Sequence, residues 1–408
     1  MNKYAYWLGF ASLVLASPAR SETPDIEEIW KIVQQQQVEI DQLKQQLAVA
    51  DAQLAVADQK IEATGDYLDT IAAPVALPRT QIGGYGELHY NNLDADDSAR
   101  DVDQIDFHRF VLFFGHEFTD RIRFFSELEL EHSLAGDGAP GEVELEQAYV
   151  DFTLTDSLSA KAGLFLLPIG ILNETHEPTT FYGVERNSVE ADIIPTTWWE
   201  AGAAMSGHYS SGLSWDVAMH SGLAIPTTGG NAFRVRSGRQ KVAEAPANDP
   251  AYTARLRYSG IPGLNVALTY QYQADASQIS GDGLDDGQLL AANAAYSIGG
   301  LTFKAVYANW DFSGSAIEAA GADSQTGWYF EPSYRFATAR GDLGLYGRYQ
   351  EVDAARGQDR FSQNEIGLNY WPTDNVVLKF DYRQRDHDLA SEAGRDFEGF
   401  DLGLGYQF

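Results

Sequence analysis

The order of apolar and polar residues divides this chain into two parts with different periods. From Ile26 to Leu68 apolar residues recur every seven positions. One seam reads Ile26, Val33, Ile40, Leu47, Leu54, Ile61 and Leu68, the other Ile29, Gln36, Leu43, Ala50, Ala57 and Thr64. No Pro falls inside this stretch and no Gly before Gly65, and the remaining positions are rich in Gln, Asp, Glu and Lys. A stripe this narrow predicts a coiled coil, roughly 60 to 65 Å long at 1.5 Å per residue. Such a helix must bury its stripe on partners, so the chain is expected to oligomerise; the mixture of Ile and Leu leaves dimer and trimer both open. Pro74 and Pro78 cannot continue the helix, and residues 72–80 read as a short stiff linker.

Beyond the linker the period falls to two. Sixteen segments of about ten residues alternate, as barrel strands do. They start near Gln81, Ile105, Ile122, Glu142, Leu158, Trp198, Leu213, Ala251, Leu264, Gln288, Leu301, Gly327, Asp342, Arg360, Val376 and Phe397. In the last of them Phe400, Leu402, Leu404, Tyr406 and Phe408 share one face, opposite Gly399, Asp401, Gly403, Gly405 and Gln407. A strand greasy on one side suits a lipid-facing wall. The connections alternate strictly between short turns, such as Thr119-Asp120-Arg121 and Gly299-Gly300, and longer polar links, the longest being Pro168 to Thr197 and Ala224 to Pro250. The predicted fold is therefore all-β: a 16-stranded antiparallel transmembrane β-barrel over residues 81–408, preceded by the α-helical coiled coil over 22–71. An even strand number places both barrel ends on the periplasmic side, and the coiled coil in the periplasm.

Composition and charge narrow the partners. Lys3 precedes an apolar run from Tyr4 to Ala16 with small residues after it, which reads as a secretory signal over residues 1–21. No later segment supplies about 18 consecutive apolar residues, so strands must do the crossing. The chain carries 59 Asp plus Glu against 28 Lys plus Arg, a net charge of -31. Nucleic acid is excluded as a main partner, because it requires clustered positive charge. Cysteine is absent, which removes disulfides, thiolate metal sites and thiol nucleophiles. The expected partners are the lipid of the outer membrane, small hydrophilic solutes and further copies of the chain. Neither a cofactor nor a metal is expected. No catalytic motif is present, and Gly136-Asp-Gly138-Ala-Pro-Gly141, which mimics a dinucleotide fingerprint, falls between two strands and reads as a hairpin turn.

Once lipid-facing residues are assigned, the opposite face of each strand becomes the lumen. Arg255 and Arg257, Arg348, and Lys379, Arg383 and Arg385 then form a basic wall, and Glu127 and Glu129 on the third strand stand against it. Separated stripes of charge would orient charged or dipolar solutes; the same residues also suit the solvated lining of a wide pore. The Pro168 to Thr197 link, stiffened by Pro168, Pro178 and Pro195, carries Glu174, His176, Glu177, Glu185, Arg186 and Glu190. Sixteen strands leave an aqueous channel, so this link is expected to fold inward and narrow it.

The run Gly163-Leu-Phe-Leu-Leu-Pro168-Ile-Gly170, with Asn173-Glu-Thr-His-Glu-Pro178, Ile194-Pro195-Thr-Thr-Trp198 and Gln147-Ala-Tyr149 before it, resembles the segment leading into the constriction loop of the phosphate-selective porin O/P family. The similarity spans about Gln81 to Phe408. It implies a trimeric sixteen-stranded outer-membrane channel, and related dicarboxylate-type porins also bear an N-terminal coiled coil. Phosphate channels are densely lined with Arg and Lys, whereas this chain is acidic. The resemblance therefore carries fold and channel activity, not phosphate selectivity. The expected function is a passive diffusion channel for small hydrophilic or charged solutes; the alternative is a structural anchor whose coiled coil tethers the membrane to the cell wall.

Overall fold

The computed structural model describes residues 79–408. The expected signal peptide, the coiled coil and all but the last two residues of the expected linker lie outside the described residues. Sixteen antiparallel strands form the barrel. The first eight are β1 (Thr80–Ala95), β2 (Val102–Thr119), β3 (Ile122–Glu131), β4 (Val143–Thr155), β5 (Leu158–Leu166), β6 (Trp199–His208), β7 (Leu213–His220) and β8 (Ala251–Tyr258). The second eight are β9 (Leu264–Gln273), β10 (Gly287–Ile298), β11 (Leu301–Phe312), β12 (Ser324–Thr338), β13 (Gly341–Asp353), β14 (Arg360–Thr373), β15 (Val376–His387) and β16 (Phe397–Gln407). Each starts within three residues of its predicted start. Every strand pairs with its chain neighbours, and β1 pairs with β16 from Tyr85↔Gln407 to Ala95↔Phe397, which closes the sheet. Closure satisfies the backbone groups that an open edge would leave bare in lipid.

Alternation along each strand sorts the two surfaces. On β15, Leu378, Phe380 and Tyr382 are exposed to the outside, while Lys379, Asp381 and Arg383 between them are buried. On β16, Leu402 and Leu404 face out and Asp401 faces in. The exposed aromatic and aliphatic band that results is the surface a bilayer requires. The link between β3 and β4 turns at Gly136, whose carbonyl accepts from Ala139 N at 3.0 Å, as expected of a hairpin connection and not of a phosphate cradle. The link between β11 and β12 holds a short α-helix, α1 (Ser315–Ala320), ended by Gly321 in the left-handed region.

The interior departs from a uniformly wet lumen. Leu289 and Ala291 on β10, and Val306, Ala308 and Trp310 on β11, occupy inward positions and belong to one apolar cluster with Val189, Ile193 and Ile194 of the 168–197 link and with Trp198 directly after it. These inward positions are apolar because a loop, not water, covers them. Gly163 on β5 shows how tightly that loop is launched. Its φ is +133°, and a Cβ there would sit 2.3 Å from the carbonyl oxygen of Ala148. Gly163→Ala is expected to cost about 1–3 kcal/mol through backbone strain, read as a lower urea midpoint for unfolding; an unchanged midpoint would show that the strands relax around the methyl.

Candidate functional site

The inward face of β1 to β4 is strongly ionisable. Glu87, His89 and Asn91 alternate with outward residues on β1, Arg109 lies opposite on β2, and Glu127 and Glu129 follow on β3. Arg109 Nε donates to Glu87 Oε1 at 2.5 Å, and its Nη2 donates to the carbonyl of His176 at 2.9 Å. On β4 both Glu144 and Glu146 are buried, and the register shifts between Glu127↔Gln147 and Leu128↔Leu145, leaving Glu146 as an extra residue. Such a bulge re-aims side chains. Here it brings Gln147 Nε2 to Glu127 Oε2 at 2.6 Å while Glu146 stays inside.

The 168–197 link lies against the inner wall from β9 around to β15 and β2. Having no sheet partner, its backbone is satisfied by wall side chains, as buried peptide groups require. Trp371 Nε1, Asn369 Nδ2, Arg348 Nη2 and Lys379 Nζ donate to the carbonyls of Thr179, Phe181, Tyr182 and Gly183 at 3.1, 3.1, 2.8 and 2.8 Å. Val184 N and Ser188 N donate to Asp381 Oδ2 and Gln350 Oε1 at 2.6 and 2.8 Å. Trp310 Nε1 donates to Ile193 O at 2.9 Å.

The residues expected to form a basic wall are thereby brought together, but most of them beneath this link. Arg348 is buried between Glu331 and Glu365, at 2.7 and 2.6 Å. Lys379 lies 3.6 Å from the centre of the Phe181 ring, and Arg383 is buried in a short ion pair with Asp401. Arg385 stacks on Phe361 at 3.8 Å and donates to Ser188 Oγ at 2.9 Å. On the other side Arg255 bridges Asp216 at 2.8 Å and Glu174 of the link, and half-buried Arg257 donates to Ser214 Oγ at 3.2 Å. Within the link, Glu190 does not face open space. Its two oxygens accept from Ile171 N, Leu172 N, Asn187 Nδ2 and Tyr329 OH at 2.5 to 3.2 Å. Glu177 is half-buried near the turn that Thr180 closes onto its carbonyl at 2.7 Å.

An open space of about 310 Å³ lies between β1–β4 and the link. Glu129, Glu131, Glu144 and Glu146 line one side, and Arg186, Arg236 and Arg239 line another; Glu87, Arg109 and Glu185 also border it. Burial, opposed and outweighed by the charge of His89 at 3.1 Å, leaves the Glu185 carboxyl well below its ordinary range. Burial and the like charge of Arg109 lower Arg186 to about 10, and burial and Arg236 lower Arg239 to about 10. Arg236 and Arg239 come from the 221–250 link and are seated by the carbonyls of Ala191 and Thr197 at 2.9 and 2.7 Å. Lys241 anchors that link across the opening to Glu142 at 2.5 Å and to Glu144. Sequence reasoning missed Arg109, Arg236, Arg239, Glu144, Glu146 and His89. The alternation on β1 and β4 carried a signal for three of these; nothing in the 221–250 link did.

Comparison with known proteins agrees with this architecture. The sequence model of the family described as phosphate-selective porin O and P matches residues 81–408. An uncharacterized protein of Aquifex aeolicus (strain VF5) is 31% identical over 344 residues, covering 75% of this chain and 76% of that protein. Among solved structures, the anion-selective porin from Comamonas acidovorans has a TM-score of 0.54 at 12% identity, covering 81% of this chain and 99% of that one. The outer membrane channel DcaP of Acinetobacter baumannii has a TM-score of 0.53 at 13% identity, covering 81% and 97%. At such identities these two structures speak to the fold alone.

Proposed function

The chain belongs to the phosphate-selective porin O and P family and is an outer-membrane channel, and from that premise we propose a passive diffusion path for small hydrophilic or charged solutes, narrowed by the 168–197 link. The observation that carries this reading is the opening of about 310 Å³ between the link and β1–β4, with carboxylates on one side and guanidinium groups on the other. Opposed charges across so small a gap produce a transverse field that orients dipolar and charged solutes as they pass. Passage requires no chemistry, and the residues that border the opening are read as lining it, not as reacting groups. The net charge of -31 does not set the selectivity on this reading. What matters is the balance at the opening, where the guanidinium groups of Arg109, Arg186, Arg236 and Arg239 stand among six carboxylates.

The domain plan is part of the same proposal: a signal over 1–21, a periplasmic coiled coil over 22–71, a linker over 72–80 and the barrel over 81–408, assembled as a homotrimer through the coil. Single-channel recording of the purified full chain in planar bilayers, with reversal potentials in asymmetric salt, tests the channel. Small ohmic conductance steps are expected, and a silent bilayer would end the reading. Deleting residues 25–68 should leave those steps intact while abolishing the cross-linked trimer; conductance lost with the coil would mean that the stalk shapes the pore.

A further inference from the structure

Where the 168–197 link meets β3 and β4, three buried polar atoms face one another. Glu127 Oε1, Glu146 Oε2 and His176 Nε2 have no hydrogen-bond partner among the described residues. The residues that carry them are 1%, 2% and 3% exposed. Nε2 stands 3.4 Å from Glu127 Oε1 and 3.7 Å from Glu146 Oε2, and a ligand atom from each residue lies within 4.8 Å of the others. Tyr85 OH, another buried polar atom without a partner among the described residues, belongs to a ring set edge-on to His176 at 6.0 Å.

The surroundings fix how these atoms are presented. His176 Nδ1 lies 3.2 Å from the carbonyl of Asn173, which only accepts, so Nδ1 carries the proton and Nε2 turns its lone pair to the carboxylates. Metal-bound histidines are oriented in this way. Glu127 is held through its other oxygen by Gln147 at 2.6 Å, an arrangement the β4 bulge makes possible. Arg109 fixes the His176 backbone at 2.9 Å and spends its Nε on Glu87. Arg186 donates to Thr197 Oγ1 at 3.0 Å.

We propose that Glu127, Glu146 and His176 bind one divalent cation of the zinc class, which ties the link to the barrel wall. Two tetrahedral ligands at about 2.0–2.1 Å from zinc stand about 3.3 Å from each other, close to the spacings here. A direct charge-assisted N–H···O bond would contract to about 2.7–2.9 Å. Two carboxylates buried side by side also need a positive partner. A proton is the competitor: burial lowers the affinity of His176 for a second proton, but Glu127 and Glu146 outweigh it and raise the pKa to about 9. Glu146 also borders the opening, so an ion would approach from that side. A second cluster, Asp106, His108 and His132, is internally bonded, with His132 Nδ1 2.7 Å from Asp106 Oδ2, and serves as the control.

The test uses the full chain in detergent, stripped with EDTA and titrated with Zn²⁺. About one tightly held ion per chain is expected. Glu146→Gln and His176→Gln should each weaken binding by more than about 100-fold, and Gln147→Ala by roughly 10- to 100-fold; His132→Gln should bind as the unaltered chain does. No tight Zn²⁺, binding undiminished from the unaltered chain in Glu146→Gln or His176→Gln, or loss in His132→Gln would overturn the assignment. Zinc-edge X-ray absorption on the unaltered chain needs no variant to fold. One imidazole with oxygen ligands at about 2.0–2.2 Å is expected, and two or more imidazoles would overturn the assignment by placing the ion at the control cluster or at His89, His108 and Glu185.

Discussion

Arg348→Met is expected to destabilise the barrel by about 3–5 kcal/mol, the usual consequence of removing one member of a buried ionic cluster. The guanidinium donates to Glu331 and Glu365 and to the carbonyl of Tyr182, and none of these groups is open to bulk water. Met fills the volume but leaves two carboxylates side by side and a loop carbonyl without its donor. Urea unfolding from detergent micelles should show the loss as a lower midpoint. Combining Arg348→Met with Glu331→Gln and Glu365→Gln should recover most of it, because a neutral replacement of a buried ion cluster is often tolerated. A single variant as stable as the parent would mean that water reaches this cluster and that the 168–197 link does not seal it.

The second large effect concerns selectivity. Replacing Arg186, Arg236 and Arg239 together by Gln removes three guanidinium groups from the opening and leaves Glu129, Glu131, Glu144 and Glu146 opposed only by Arg109 and by Lys241 at Glu144. In a tenfold salt gradient the reversal potential should move toward the cation limit by roughly 20–40 mV of the about 59 mV available to a monovalent ion. The shift should shrink as salt rises, since the Debye length falls to about 3 Å at 1 M. Neutralising Arg383 together with its partner Asp401 should move the potential little, because both are buried and paired with each other. Equal shifts from the two sets would place the permeation path along β15 and not along β1–β4.

Legibility differed between wall and lumen. Strand positions were readable because lipid imposes a strict period of two, and the short turns punctuate it: Thr155-Asp156-Ser157 separates β4 from β5 just where the alternation breaks. The inward direction of Arg255, Arg348, Lys379 and Arg383 followed from the same rule. The rule is silent about what each inward residue meets. Val306, Ala308 and Trp310 are inward and apolar, against the expectation of a wet wall, because Val189, Ile193 and Ile194 cover them. Glu190 reads as one more acidic loop residue, yet four donors enclose its carboxylate.

What the sequence by itself determined is the closed sixteen-stranded wall: side-chain period and turn chemistry act between near neighbours, so their record lies in the chain's own order. Which charges border the opening was decided only by the tertiary structure. Arg186, Arg236 and Arg239 are brought to the same opening as the carboxylates of β3 and β4 by two long links whose course is set by distant partners, such as Asp381 for Val184 and Glu142 for Lys241. Contacts between residues that far apart leave no periodic trace, because each is a single pairing made once the barrel has closed.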